Sequence, residues 1–133
     1  MPPTTLRAAG TLLAADPGAR QLTYRLLPYG EPGRTNLGTL TAGPGSVRVP
    51  APADVVLNLE HDPRRPLGRA MAIEQDDDGL LATFSVAPTS AGDDLLAEAA
   101  AGLRTGVSVE LTEVRIRAGQ LLDSLLSGAG AVV

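Results

Sequence analysis

The sequence has no cysteine, no lysine and no tryptophan, and its aromatic residues are limited to Tyr24, Tyr29 and Phe84. Without cysteine there can be no disulfide, no thiolate metal site and no cysteine nucleophile. So few aromatics exclude the stacking platforms on which single-stranded nucleic acid is usually held. All 11 basic residues are arginine, which reads as coding bias rather than chemistry, and 15 acidic residues outnumber them. A net charge of −4 argues against a general phosphate-binding surface, so no nucleic-acid partner is expected. The single histidine, His61, rules out a multi-histidine zinc cage. No run approaches the roughly 20 apolar residues that span a bilayer. Met1-Pro2-Pro3-Thr4-Thr5 lacks the basic and apolar regions of a signal peptide. A soluble, intracellular protein without a membrane partner is the expectation.

What is present is a chain of 133 residues, 44% hydrophobic, the length of one domain with an aliphatic core. Fifteen glycines and 11 prolines cut it into short pieces. Strands are predicted over Gln21 to Leu27, Val47 to Val49 and Val55 to Leu59, with a polar, proline-bounded turn running from Glu60 to Gly68. Gly68 to Glu74 and Leu80 to Val86 flank Gln75-Asp76-Asp77-Asp78-Gly79, where Asp-Gly predicts a tight hairpin with a solvated acidic tip. Thr89 and Ser90 offer a helix cap, and Asp93 and Asp94 place negative charge in the first turn. Leu95, Ala99 and Leu103 recur four apart, and Gly102 marks the end. Val107, Val109 and Leu111 alternate with Ser108 and Glu110; the next apolar positions, Val114 and Ile116, are out of phase. Such a slip predicts a bulge near Thr112-Glu113. Ala118-Gly119 is a turn, and Gln120 to Val133 the last strand region. Many short strands with one helix indicate a mainly β (α+β) domain, barrel or sandwich.

Taken alone, His61 at a strand end and Ser108 among valines are ordinary surface positions. Their setting is less ordinary. Leu57-Asn58-Leu59-Glu60-His61-Asp62 is an apolar strand running into a His-Asp pair, followed seven residues on by Gly68-Arg69, an acidic turn and Gly79-Leu80. Further on, a helix ends in glycine and leads to a serine in a short apolar strand, Gly102-Leu103-Arg104-Thr105-Gly106-Val107-Ser108-Val109. Pro28-Tyr29-Gly30 and Gly43-Pro44-Gly45 precede both. In this order the motifs resemble phage prohead (capsid maturation) serine proteases, a family related in fold to herpesvirus assemblin.

The resemblance implies an antiparallel β-barrel with one or more flanking helices, herpesvirus-protease-like, as a single protease-like domain over residues 1–133 that stops short of the family's C-terminal extension. It implies a serine endopeptidase without cofactor, found in the host cytoplasm and the interior of the assembling procapsid. Its partner would be the capsid or scaffold protein as peptide substrate, cut in the scaffolding region and held along an exposed strand edge. Autocleavage and a homodimer are implied as well, with the helix Asp93 to Leu103 a candidate contact. Ser108 matches the nucleophile and His61 the general base, and backbone N–H groups near Val109 or the Arg64-Arg65 turn would bind the oxyanion.

Two carboxylates compete for the third place. Asp123, in Leu121-Leu122-Asp123-Ser124, resembles the family's acid. A regular hairpin at Ala118-Gly119 would nevertheless set it roughly 20 Å from Ser108 along the strands. Glu110 lies two residues from Ser108 on the same strand face, about 7 Å away, with room for an imidazole between them. A Ser–His dyad without an acid is a third arrangement. The rival to an enzyme is a non-catalytic capsid-assembly or binding module that keeps the protease fold.

Overall fold

Residues 5–133 are described by a computed structural model; Met1 to Thr4, the start of the stretch read for a signal peptide, lie outside the described residues. The strands are β1 (Leu6–Asp16), β2 (Gln21–Pro28), β3 (Pro32–Thr35), β4 (Gly38–Thr41), β5 (Val56–Leu59), β6 (Asp62–Asp76), β7 (Gly79–Val86), β8 (Gly106–Arg117) and β9 (Gln120–Val132). One helix, α1 (Ser90–Ala100), joins β7 to β8. No helix among the described residues is long and apolar enough to cross a membrane.

The expected antiparallel barrel with flanking helices is corrected. Among the described residues the strands form a nine-stranded mixed sheet in the order β2-β7-β6-β5-β9-β4-β3-β1-β8, with further pairings of β1 to β2 and β8 to β9, and a single α-helix accompanies it. Two parallel pairings between strands make it mixed: β5 runs beside β9 (Leu57 opposite Ala129, Asn58 opposite Gly130, Leu59 opposite Ala131), and β4 meets β9 at Thr41 and Gln120; Arg48 adds a lone parallel bridge to Leu125 of β9. Hairpins follow from local turn chemistry, whereas these parallel neighbours are brought together from segments far apart in the chain.

Alternation sets which face is inside. Leu22, Tyr24 and Leu26 of β2 and Val107, Val109 and Leu111 of β8 are fully buried, with Tyr24 edge-to-face on Phe84 at 5.9 Å between ring centroids. The predicted phase slip is present. The β8–β9 register shifts between Thr112 and Arg115, and Glu113 adopts φ +52°. Before the slip, Gly106 to Leu111 pair with β1 on one flank and β9 on the other.

Helix α1 begins where expected, Thr89 capping it by accepting the Gly92 N–H at 3.1 Å. Its apolar stripe is Leu95, Leu96 and Ala99; Leu103 lies beyond the last turn and is 70% exposed. Two other expectations change. In the acidic hairpin Asp76 pairs with Gly79, so Asp77 and Asp78 form the loop and Gly79 opens β7. The Glu60 to Gly68 turn shrinks to two residues, because Leu59 pairs with Asp62 and β6 continues through Pro63 and Pro66. Pro66 is tolerated where the β5–β6 register shifts at Asn58.

Candidate functional site

The shortened turn decides where the histidine goes. Glu60 and His61 are its two central residues, with φ +50° and +61°. Both therefore adopt the left-handed conformation that a twisted two-residue hairpin demands, although neither is glycine or asparagine. The Glu60 N–H donates to the Ala131 carbonyl at 3.0 Å, tying the turn to β9. The Glu60 carboxylate accepts from Arg104 Nη1 at 2.7 Å, and Arg104 Nε donates to Glu98 of α1 at 2.8 Å.

This turn lays the His61 ring over β9. A β-carbon built on Gly130 would lie 2.8 Å from Nδ1 and 2.9 Å from both Cγ and Cε1, so the ring covers the Gly130 α-carbon face-on. Gly130 stands directly opposite Ser108 in the β8–β9 ladder, and opposed residues of an antiparallel pair share a face. The imidazole thus lies on the Ser108 side of the sheet, one strand away. Two residues along that face is Glu110, whose Oε1 lies 2.5 Å from His61 Nδ1. The pair is at ion-pair distance but lacks the alignment of a full hydrogen bond. The other ring nitrogen, Nε2, is buried and has no hydrogen-bond partner among the described residues, Ser108 included. The side chains of His61 and Glu110 are 13% and 24% exposed, and Arg7 Nη2 sits 3.7 Å from Glu110 Oε1. The site is therefore a half-buried His–carboxylate pair beside a serine on the outer face of β8.

Asp123 is elsewhere. It pairs with Arg115, seven residues along β8 from Ser108 and so roughly 23 Å away at ordinary strand rise. Its carboxylate accepts from Arg48 Nε at 3.0 Å, and that hydrogen bond holds its pKa below the usual carboxylate range. The proposed oxyanion donors are engaged as well. Val109 is paired on both flanks, and the Arg64 N–H donates to Asp62 Oδ1 at 2.9 Å in strand β6 rather than in a turn. Among the described residues no group of three or more histidine and carboxylate side chains is placed to hold a metal ion.

No protein-family model and no curated protein matches this sequence. A solved structure does match it: that of the bacteriophage T4 capsid assembly protease gp21, with a TM-score of 0.62, 13% sequence identity, and 98% of each chain covered. The fold resembles a phage capsid assembly protease. At this identity the likeness to the T4 protease is one of fold, and it extends over nearly the whole chain rather than over the His61 and Ser108 segments alone.

Several participants escaped the sequence reading. Gly130 is one; its only signal was the small-residue run Gly128-Ala129-Gly130. Arg104 and Glu60 are others, joined across 44 residues by a contact that no local pattern announces. Asn58, opposite Gly130 on β5 and so in the same cross-strand row as Ser108, has a buried Oδ1 without a partner among the described residues. An apolar cavity of about 160 Å³ is lined in part by Ala9, the β1 residue opposite Ser108.

Proposed function

We propose that this chain is a serine endopeptidase of phage capsid assembly, with Ser108 as nucleophile, His61 as general base and Glu110 as the group that orients the imidazole. The observation that carries the reading is the placement of the His61 ring over Gly130, directly across from Ser108, with Nδ1 against Glu110. A serine hydroxyl is a poor nucleophile at neutral pH and needs a neutral imidazole to take its proton. Glu110 at Nδ1 favours the tautomer carrying its proton there, which leaves the Nε2 lone pair for Ser108.

In the first step the Ser108 oxygen bonds to the scissile carbonyl carbon while its proton passes to Nε2. The imidazolium then gives that proton to the leaving amine as the C–N bond breaks, forming the acyl-enzyme. Water, deprotonated by the same nitrogen, releases the acyl group and restores the serine. Catalytic hydrogen bonds in ligand-free enzymes are often long and tighten on binding substrate, so the unbonded Nε2 fits a resting site. The substrate would be a capsid or scaffold protein inside the assembling particle, with self-cleavage and self-association as further parts of the proposal.

The rival, a non-catalytic assembly module, takes its support from that same unbonded Nε2. A serine-reactive fluorophosphonate separates the two. Labelling of the wild-type protein that disappears in Ser108→Ala and weakens toward acid pH supports the enzyme. Absence of labelling in both monomeric and self-associated protein supports the module.

A further inference from the structure

The turn that carries His61 holds an unfavourable backbone, since Glu60 and His61 both sit at positive φ without being glycine. The Glu60 N–H bond to Ala131 ties the turn to β9, and the Glu60 side chain is bonded by Arg104. Its Nη1 donates to Glu60 Oε1 at 2.7 Å and its Nε to Glu98 Oε2 at 2.8 Å, with the guanidinium side chain only 18% exposed. Charge-assisted bonds of this length are among the stronger contacts a protein makes, and a planar guanidinium fork holds two carboxylates in a fixed relative geometry, which a flexible ammonium does not. Arg104 also stands four residues before Ser108, immediately upstream of β8. One side chain therefore joins the last turns of α1, the approach to the serine strand and the histidine turn.

We propose that Arg104 is a positioning residue: a latch between Glu98 and Glu60 that keeps the His61 ring seated over Gly130 and against Glu110. Among the described residues it makes no hydrogen bond or ion pair with the three groups assigned to the reaction. Its effect passes through the Glu60 backbone, whose neighbour is the histidine itself. The relevance of the latch to catalysis rests on the peptidase reading; its structural content does not.

The chain's single histidine makes the test clean, because all imidazole resonances in an NMR spectrum belong to His61. In the wild type, the ring Hε1 should show a nuclear Overhauser contact to the Gly130 α-protons. In Arg104→Gln this contact is expected to vanish while the dispersed amide spectrum of the fold persists, and Arg104→Lys, which keeps the charge but loses the rigid two-nitrogen fork, should not restore it. The fluorophosphonate labelling rate of Ser108 should fall about tenfold or more, as expected for misplaced catalytic groups, with the probe's saturation constant little changed. A His61–Gly130 contact that survives in Arg104→Gln overturns the latch, whatever happens to labelling. Loss of the contact in a protein whose wild type never labels keeps the latch and removes the peptidase. Should Arg104→Gln fail to fold, Glu60→Gln, which keeps the Arg104–Glu98 pair, decides by the same two readouts.

Discussion

The imidazole of His61 lies face-on against the α-carbon of Gly130, with no room for a methyl group between them. Gly130→Ala would place a β-carbon 2.8 Å from Nδ1, and because the backbone beneath is held in the sheet, the ring must leave. Displacement of about 1 Å is enough to cost on the order of 100-fold in rate, so Ser108 labelling should drop by roughly that factor. Circular dichroism should meanwhile report an intact β-rich fold. A Gly130→Ala protein that labels at the wild-type rate would take His61 out of the reaction.

Glu110 and Asp123 make opposite predictions. Glu110→Gln keeps the size of the side chain but removes the charge beside Nδ1, and labelling should fall by roughly 100-fold or more. Asp123→Asn disturbs an ion pair with Arg48 on a distant part of the sheet and should leave labelling unchanged. Measuring both rates on matched preparations checks the assignment; the reverse order of effects would transfer the role to Asp123.

The contrast between these two carboxylates shows what could be read before the structure. Glu110 was within reach because period-2 geometry alone puts residues i and i+2 on one face. The outward-facing place of Ser108 on its strand and the bulge near Glu113 were legible for the same reason, as local consequences of alternation, whereas the role given to Ser108 came only from the resemblance. What could not be read depends on distant partners. The parallel pairing of β5 with β9 brings Asn58 and the His61 turn to Gly130, and no periodicity encodes it. Pro63 and Pro66 suggested a long loop, yet the register shift at Asn58 lets strand β6 absorb them. Leu103 fitted the helical stripe by spacing, but Gly102 at φ +75° ends the helical path first.

Tyr24 is fully buried, and its hydroxyl has no hydrogen-bond partner among the described residues. A buried polar group left unpaired costs about 1–3 kcal/mol, so Tyr24→Phe should be stabilising by about 1 kcal/mol at neutral pH. Burial raises its pKa to about 12, against a smaller opposing pull from Arg104. The folded state thus keeps the phenol neutral over a range where the unfolded chain ionises. Stability is whole below about pH 10 and declines as pH rises from there toward 12. Urea unfolding from pH 8 to 12 should show this decline in the wild type and a shallower one in Tyr24→Phe.

At the tip of the β6–β7 hairpin, Asp76 accepts from Arg25 Nη1 at 2.9 Å and from the N–H groups of Asp78 and Gly79 at 2.9 and 3.0 Å. The Arg25 hydrogen bond, opposed by desolvation and aided by those backbone donors, holds the carboxyl below its ordinary range. A depressed folded pKa stabilises the fold above the unfolded value, about 3.9 for aspartate, and that stabilisation drains away as pH falls through the folded value. Asp76→Asn should therefore be less stable than wild type at pH 7 and approach it in strong acid. Denaturation midpoints at several pH values below 7 would check this; a constant gap between the two proteins across the series would contradict it.

The ladders on both flanks of β8 have a consequence for any polypeptide offered to Ser108. At that point the strand has already spent its main-chain donors and acceptors on β1 and β9, so an incoming chain finds no vacant rung beside the hydroxyl. On the peptidase reading, a substrate would come down onto the sheet from the solvent side, over the face that Ser108 shares with Arg7, Ala9 and Asn58, rather than zip onto the serine's own strand.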